Sequence, residues 1–138
     1  MPYEEEDLRW GEPDPATDTL ARLVIGAAIE VHRHLGAGLD ESLYEAAMSR
    51  ELSLRNIPFV RQWPVSVDYK GEPIGEKRLD FIVGARLVLE LKAVTQLAPI
   101  HEAQVRTYLR ITKLELGLLI NFNVPLLKDG IKRIIHHN

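Results

Sequence analysis

The stretch from Arg78 to Lys92 (RLDFIVGARLVLELK) constrains the fold most, because it sets Asp80, Glu90 and Lys92 among residues otherwise suited to a core. Side chains alternate faces along a strand, so Leu79, Phe81 and Val83 are expected on one face and Arg78 and Asp80 on the other. The next strand repeats the pattern, with Leu87, Leu89 and Leu91 opposed to Val88, Glu90 and Lys92. One face then builds core while the other gathers charge. A two-residue turn at Gly84-Ala85 would put Asp80 opposite Leu89, whereas a three-residue loop, Gly84-Ala85-Arg86, pairs Asp80 with Glu90 and keeps the leucine faces together. The parity predicts that loop, or a bulge. Two carboxylates held side by side repel unless a cation lies between them, and an all-oxygen donor set suits Mg²⁺ or Mn²⁺. Lys92 would stand beside the ion and reach a substrate oxygen.

With 138 residues and 46% hydrophobic composition, the chain fits one globular domain with a sizeable core. No run reaches about 18 apolar residues, and the opening Met-Pro-Tyr-Glu-Glu-Glu-Asp lacks the basic and apolar parts of a secretion signal. A cytoplasmic protein with no membrane partner is expected. The absence of cysteine excludes disulfides, thiolate catalysis and the usual structural zinc sites. A formal net charge of −3 argues against sequence-blind coating of nucleic acid. Arg33, Arg61, Arg78, Arg106 and Arg110 could still form a local basic rim; the alternative is scattered, solvated arginines.

Residues 1–16 are acidic and broken by Pro2, Pro13 and Pro15, which predicts a mobile arm ahead of a single domain over 17–138. From Asp18, the residues Leu20, Leu23, Val24, Ala27, Ala28, Val31 and Leu35 recur at helical spacing until Gly36 and Gly38 end the run. A second helix is expected over about 40–55, with Leu43, Tyr44, Ala47, Met48 and Leu52 as its buried stripe. Strands are predicted near 59–69, 76–83 and 86–93, the first two joined across Lys70-Gly-Glu-Pro73. A helix over 99–112 and a doubly buried strand over 116–122 then imply a right-handed parallel crossover, and 131–135 adds a last strand. The expected class is α/β: a mixed sheet flanked by helices.

Three features line up along this framework: Gly38-Leu-Asp-Glu41-Ser-Leu-Tyr44 opening a helix, Asp80 followed by Glu90-Leu-Lys92, and Gln104-Val-Arg-Thr-Tyr108 on the next helix. The first resembles the motif of the bacterial and archaeal GxxExxY family, and the likeness runs from about Leu20 to the C-terminus, including Gly117 to Phe122. That family looks like a small member of the PD-(D/E)XK nuclease superfamily, with a restriction-endonuclease-like core. The Gln-x-x-x-Tyr pair resembles the motif that follows the Glu-x-Lys strand in RecB-type nucleases. The resemblance implies Asp80 and Glu90 as metal ligands, Lys92 as the catalytic lysine, Glu41 as the helix-borne acid, and Gln104 with Tyr108 as a supporting pair. Leu79 stands where the superfamily's proline often sits. By family analogy a homodimer would bring two sites to two strands.

The chemistry such a site performs is phosphodiester hydrolysis, which needs an activated water, stabilised phosphoryl charge and a ligated or protonated leaving oxygen. In this reading Asp80, Glu90 and the Leu91 carbonyl hold Mg²⁺ or Mn²⁺, and Lys92 stabilises phosphoryl charge or positions the water. Glu41 helps organise a ligand or second ion; the alternative is helix N-terminal stabilisation by the macrodipole. Tyr44, Met48 and Leu52 follow Glu41 at i+3, i+7 and i+11, which puts its carboxylate on the inward stripe. Glu45 and Glu51 are weaker candidates, and Arg55 offers Glu51 a surface partner. Gln104 and Tyr108 lie one turn apart and could order water or phosphate, or serve ordinary packing. His101 shares their side of the helix. The five histidines show no metal spacing, and neither a glycine-rich phosphate loop nor a serine-histidine triad is present. A metal-dependent nuclease acting on DNA is the leading expectation. The alternatives are a catalytically inactive nucleic-acid-binding or scaffold module, and a hydrolase of another phosphorylated substrate.

Overall fold

The computed structural model describes residues 13–137. The first helix, α1 (Pro15–Leu35), starts three residues before the expected Asp18. The cause is local: Asp14 caps the helix by accepting the Thr17 N–H at 3.0 Å, and Pro15 occupies the first turn, where its missing N–H costs nothing. Residues 1–12 of the predicted acidic arm lie outside the described residues. Gly36, at φ +67°, ends α1 with its N–H on the His32 carbonyl. Helix α2 (Glu41–Leu54) follows, closed by the expected Arg55–Glu51 pair at 2.7 Å.

Three strands then form an antiparallel meander: β1 (Phe59–Tyr69), β2 (Glu72–Val83) and β3 (Leu87–Lys92). Helix α3 (Pro99–Thr112) crosses over to β4 (Leu116–Asn121), which runs parallel to β3, and β5 (Ile131–Ile135) pairs antiparallel with β4. The sheet order is β1-β2-β3-β4-β5. This is the expected α/β class, a mixed five-stranded sheet flanked by helices. The β1–β2 reversal uses only Lys70 and Gly71, both at positive φ, so Glu72 and Pro73 already belong to β2. Beyond Val65 this hairpin runs on as a ribbon: residues Gly71 to Arg78 are all exposed, and β3 pairs with β2 only at Phe81, Ile82 and Val83.

Each sheet face carries its own core. Phe81, Val83, Leu87, Leu89, Leu91, Leu116, Leu118 and Ile120 pack with Val24, Ala28, Val31 of α1 and Tyr44, Met48, Leu52 of α2. On the opposite face Ile82, Val88, Leu119 and Ile134 pack with Val105, Tyr108 and Leu109 of α3. The expected charged face is therefore no open surface but is covered by α3. Gly117 makes that closeness possible, since a Cβ there would sit 2.5 Å from Val105 Cγ1. Three residues of the predicted apolar stripes stay at the rim: Leu23 and Leu43 are each 50% exposed, and Leu35, at the end of α1, is 39% exposed. Leu23 and Leu43 each precede a buried residue, Val24 and Tyr44, by one position, a rotation of about 100° on a helix.

The loop between α1 and α2 is tied down by one side chain. Tyr44 donates its hydroxyl hydrogen to the Gly36 carbonyl at 2.5 Å, accepts the Leu39 N–H at 3.2 Å, and stacks on Phe122 at 4.6 Å between ring centroids. Gly38, at φ +99°, lets the chain turn within that loop. Tyr44→Phe keeps the stacking but leaves two backbone groups without their partner. It is expected to cost about 1–3 kcal/mol of unfolding free energy in urea titration; an unchanged midpoint would show the loop to be held by other contacts.

Candidate active site

The hairpin register delivers the two acids to one place. Strands β2 and β3 pair through Val83↔Leu87, Ile82↔Val88 and Phe81↔Leu89, across the predicted three-residue loop, so Asp80 and Glu90 fall opposite each other at the next rung. That rung is built from side chains. Glu90 Oε1 accepts the Asp80 N–H at 2.9 Å, and Asp80 Oδ2 accepts the Leu91 N–H at 2.8 Å. On the other side of β2 the ladder also skips a rung: Arg61↔Phe81 and Trp63↔Leu79 pair, while Gln62, at φ +56°, does not pair with Asp80. The strand turns at Asp80 as a result. Leu79 thus packs with Ile82 and Val88 under α3, not with Phe81 and Val83 as alternation predicts.

The neighbouring backbone is arranged by the same break. The Lys92 carbonyl faces β4, where it accepts the Phe122 N–H at 2.9 Å. Peptide orientation alternates along a strand, so the Leu91 carbonyl turns to the β2 side, beside Asp80 and past the end of the ladder. Asn121, opposite Lys92 on β4, holds this strand end: its side-chain amide accepts the Val94 N–H at 3.0 Å and donates to the Val94 carbonyl at 2.9 Å.

Asp80 and Glu90 are both buried, 9% and 6% exposed. Burial first, and then the Asp80 carboxylate, push the Glu90 carboxyl up to about 8, against the opposing effects of the Asp80 N–H and the Lys92 ammonium. Burial likewise raises Asp80 to about 6; the Leu91 N–H opposes this, while Glu45 and Glu41 add to it. Tyr108, buried on α3, has its phenol raised by burial and then by the charge of Glu90 and Asp80. Lys92 is half-buried on the same face as Glu90, and Gln104 lies half-buried one turn before Tyr108.

Of the residues singled out from sequence, Asp80, Glu90 and Leu91 are in direct contact, Glu41 acts on Asp80 and Lys92 on Glu90 through charge, and the pair in turn raises the Tyr108 phenol. His101 has a different task, its Nδ1 accepting the Ala98 N–H at 2.9 Å to cap α3. Glu45, a weaker candidate from sequence, lies close to this group. It stands one turn after Glu41 on the same helix face, helps raise the Asp80 carboxyl, and accepts hydrogen bonds from Arg61 Nε and Gln62 Nε2, each at 2.7 Å. The i, i+4 spacing from Glu41 was the signal that could have found it. Of the arginines, Arg33 pairs with Glu30, Arg61 with Glu45 and Arg78 with Glu76, and Arg106 reaches the Ile135 carbonyl.

The donor chemistry fits a small, hard dication. Asp80 and Glu90 each spend one oxygen on a backbone N–H and have a second, and strand alternation turns the Leu91 carbonyl to the same side as its N–H, toward β2. Asp80, Glu90, Glu41 and Glu45 bring more negative charge than Lys92 and Arg61 balance. Among the described residues no group of three or more His, Asp or Glu side chains converges as a ready-made cage. Mg²⁺ is commonly held by only one or two carboxylates and keeps much of its water. A groove of about 660 Å³ between β1 and the end of α3 is apolar, lined by residues such as Phe59, Trp63, Ile82 and Ile111, and contains none of these groups.

Residues 18–134 match the family model of the PD-(D/E)XK nuclease superfamily, a span that includes every residue of this site. The chain belongs to that superfamily. No curated protein and no solved structure gave a match. PD-(D/E)XK nucleases commonly use divalent metals, in keeping with the oxygen donors collected here. Among the described residues no helix is long and apolar enough to cross a membrane.

Proposed function

We propose that this PD-(D/E)XK protein is a Mg²⁺- or Mn²⁺-dependent nuclease of the GxxExxY type that hydrolyses phosphodiester bonds in DNA. The observation that carries this reading is the burial of two interlocked carboxylates, Asp80 and Glu90, beside Lys92. Buried like charges are costly, and proteins keep them where function needs them. Asp80, Glu90 and the Leu91 carbonyl would hold the ion, which when bound supplies Lewis-acid stabilisation of the phosphate and an activated water.

The chain's own groups do the rest. Lys92 extends from the face of Glu90 and neutralises charge growing on a phosphoryl oxygen. Tyr108, whose phenol is held above its ordinary range, stays protonated and donates a hydrogen bond toward the pair or the substrate. Gln104, one turn away, supports the same side, and Glu41 adds negative charge from the start of α2. The reading places the protein in the cytoplasm, with a homodimer as the arrangement that would cut both strands of a duplex.

The formal net charge of −3 favours a competing reading, an inactive binding module or a hydrolase of a smaller phosphorylated substrate. A cleavage screen over single-stranded, duplex and branched DNA and RNA, with Mg²⁺ or Mn²⁺, separates them. Ion-dependent cleavage of DNA is the expected result; binding without cleavage by any substrate would point to the module.

A further inference from the structure

We propose that Glu45, and not Glu41, is the third acid of the divalent-ion site, and that Arg61 latches it until an ion arrives. The inference rests on the nuclease reading of the Asp80–Glu90 pair but concerns a residue and a competition that this reading does not contain. Three observations converge on Glu45. It is joined to the pair through Gln62, which lies opposite Asp80 at the skipped rung, and it bears on the Asp80 carboxyl by hydrogen bonding as well as charge, whereas Glu41 does so by charge alone. It is the better buried partner of its ion pair, its side chain 15% exposed against 41% for Arg61. And both of its oxygens are held from β1, Oε2 by Arg61 Nε and Oε1 by Gln62 Nε2.

The local backbone explains why Glu45 is aimed there. Gln62 faces Asp80 across β1 and β2 at the missing rung, and its left-handed φ of +56° is a conformation that a non-glycine residue adopts at some cost. That conformation directs consecutive side chains, Arg61 and Gln62, to the same carboxylate, although strand alternation would send them to opposite faces. Two donors from a distorted strand therefore grip one helix-borne acid beside the buried pair. In this state Arg61 supplies the positive charge that a dication would otherwise bring to Glu45.

An ion and Arg61 then compete for one carboxylate, and the competition has a signature that plain charge effects lack. With the full chain, Mn²⁺ uptake measured by calorimetry is expected to weaken roughly 10–100-fold in Glu45→Gln and to change much less in Glu41→Gln. Arg61→Gln should bind Mn²⁺ several-fold more tightly. If Arg61 acts through Glu45, adding Arg61→Gln to Glu45→Gln gives no further tightening; two independent charge effects would instead add. Melting curves in EDTA verify that each variant is folded. Loss of uptake in Asp80→Asn with wild-type uptake in Glu45→Gln, or a larger loss in Glu41→Gln, overturns the Glu45 assignment alone, and additivity in the double variant overturns the latch. A wild-type protein that takes up no Mn²⁺ overturns both this inference and the ion-dependent nuclease reading.

Discussion

Glu90→Gln is expected to lower ion-dependent cleavage by on the order of 10³-fold while making the ion-free protein more stable at alkaline pH. The amide preserves the local bonding: its oxygen can still accept the Asp80 N–H, and its NH₂ can donate to the Asp80 carboxylate, replacing repulsion with a hydrogen bond. Relief from burying a second negative charge should add about 1–3 kcal/mol at pH 9, where wild-type Glu90 is ionised, and little at pH 5, where it already carries a proton. Asp80→Asn and Lys92→Ala should lose cleavage to a similar extent without unfolding. Initial-rate assays paired with denaturant titrations at both pH values check this. Wild-type rates in all three variants would reject the site.

Ion-free protein should lose stability as pH rises from about 4 to about 8, an inversion of the usual behaviour of carboxylates. Asp80 and Glu90 ordinarily titrate near 3.8 and 4.5 but are raised to about 6 and about 8 in the fold. The native state therefore holds more protons than the unfolded chain across that interval, and unfolding free energy falls with pH. The pair's favourable contribution is complete below the unfolded values and gone above about 8. Asp14 and Asp18 act in the opposite sense, lowered chiefly by Thr17 and by Arg133, so their contribution fades only under strong acid, and both are too exposed to matter greatly. A stability maximum near pH 4–5 follows. Saturating Mg²⁺ or Mn²⁺ should reverse the loss, adding about 2.7 kcal/mol at one hundred times the dissociation constant, and more effectively at pH 8.5 than at pH 5, where ions must displace protons. Melting temperatures in EDTA and in Mg²⁺ across this range make the test; an ion-insensitive melt at pH 8.5 would count against the site.

Much of this arrangement was legible before the fold was known, for reasons that can be named. The leucine parity of Leu87, Leu89 and Leu91 required a three-residue loop, and that loop alone set Asp80 against Glu90. The apolar run from Leu116 gave a strand buried along its whole length, and its one polar member, Asn121, turned out to clamp the end of β3. What alternation could not foresee is the turn of β2 at Asp80, since it arises from side chains replacing backbone partners on the ladder. Leu79 changed faces for that reason. Glu45 was only a weaker candidate from sequence because its partners come from β1, sixteen and seventeen residues away, through a backbone conformation at Gln62 that residue type does not announce.

The β1–β2 ribbon beyond Val65 has a kinetic consequence. A lone pair of strands without a third neighbour or a covering helix is barely stable by itself. Its amide hydrogens should therefore trade with deuterated solvent through fraying that leaves the rest of the molecule shut, while those of β3 and β4 wait for global opening. Protection would then rise steeply along β2 itself, from the Lys70–Gly71 tip to the carboxylates at its inner end.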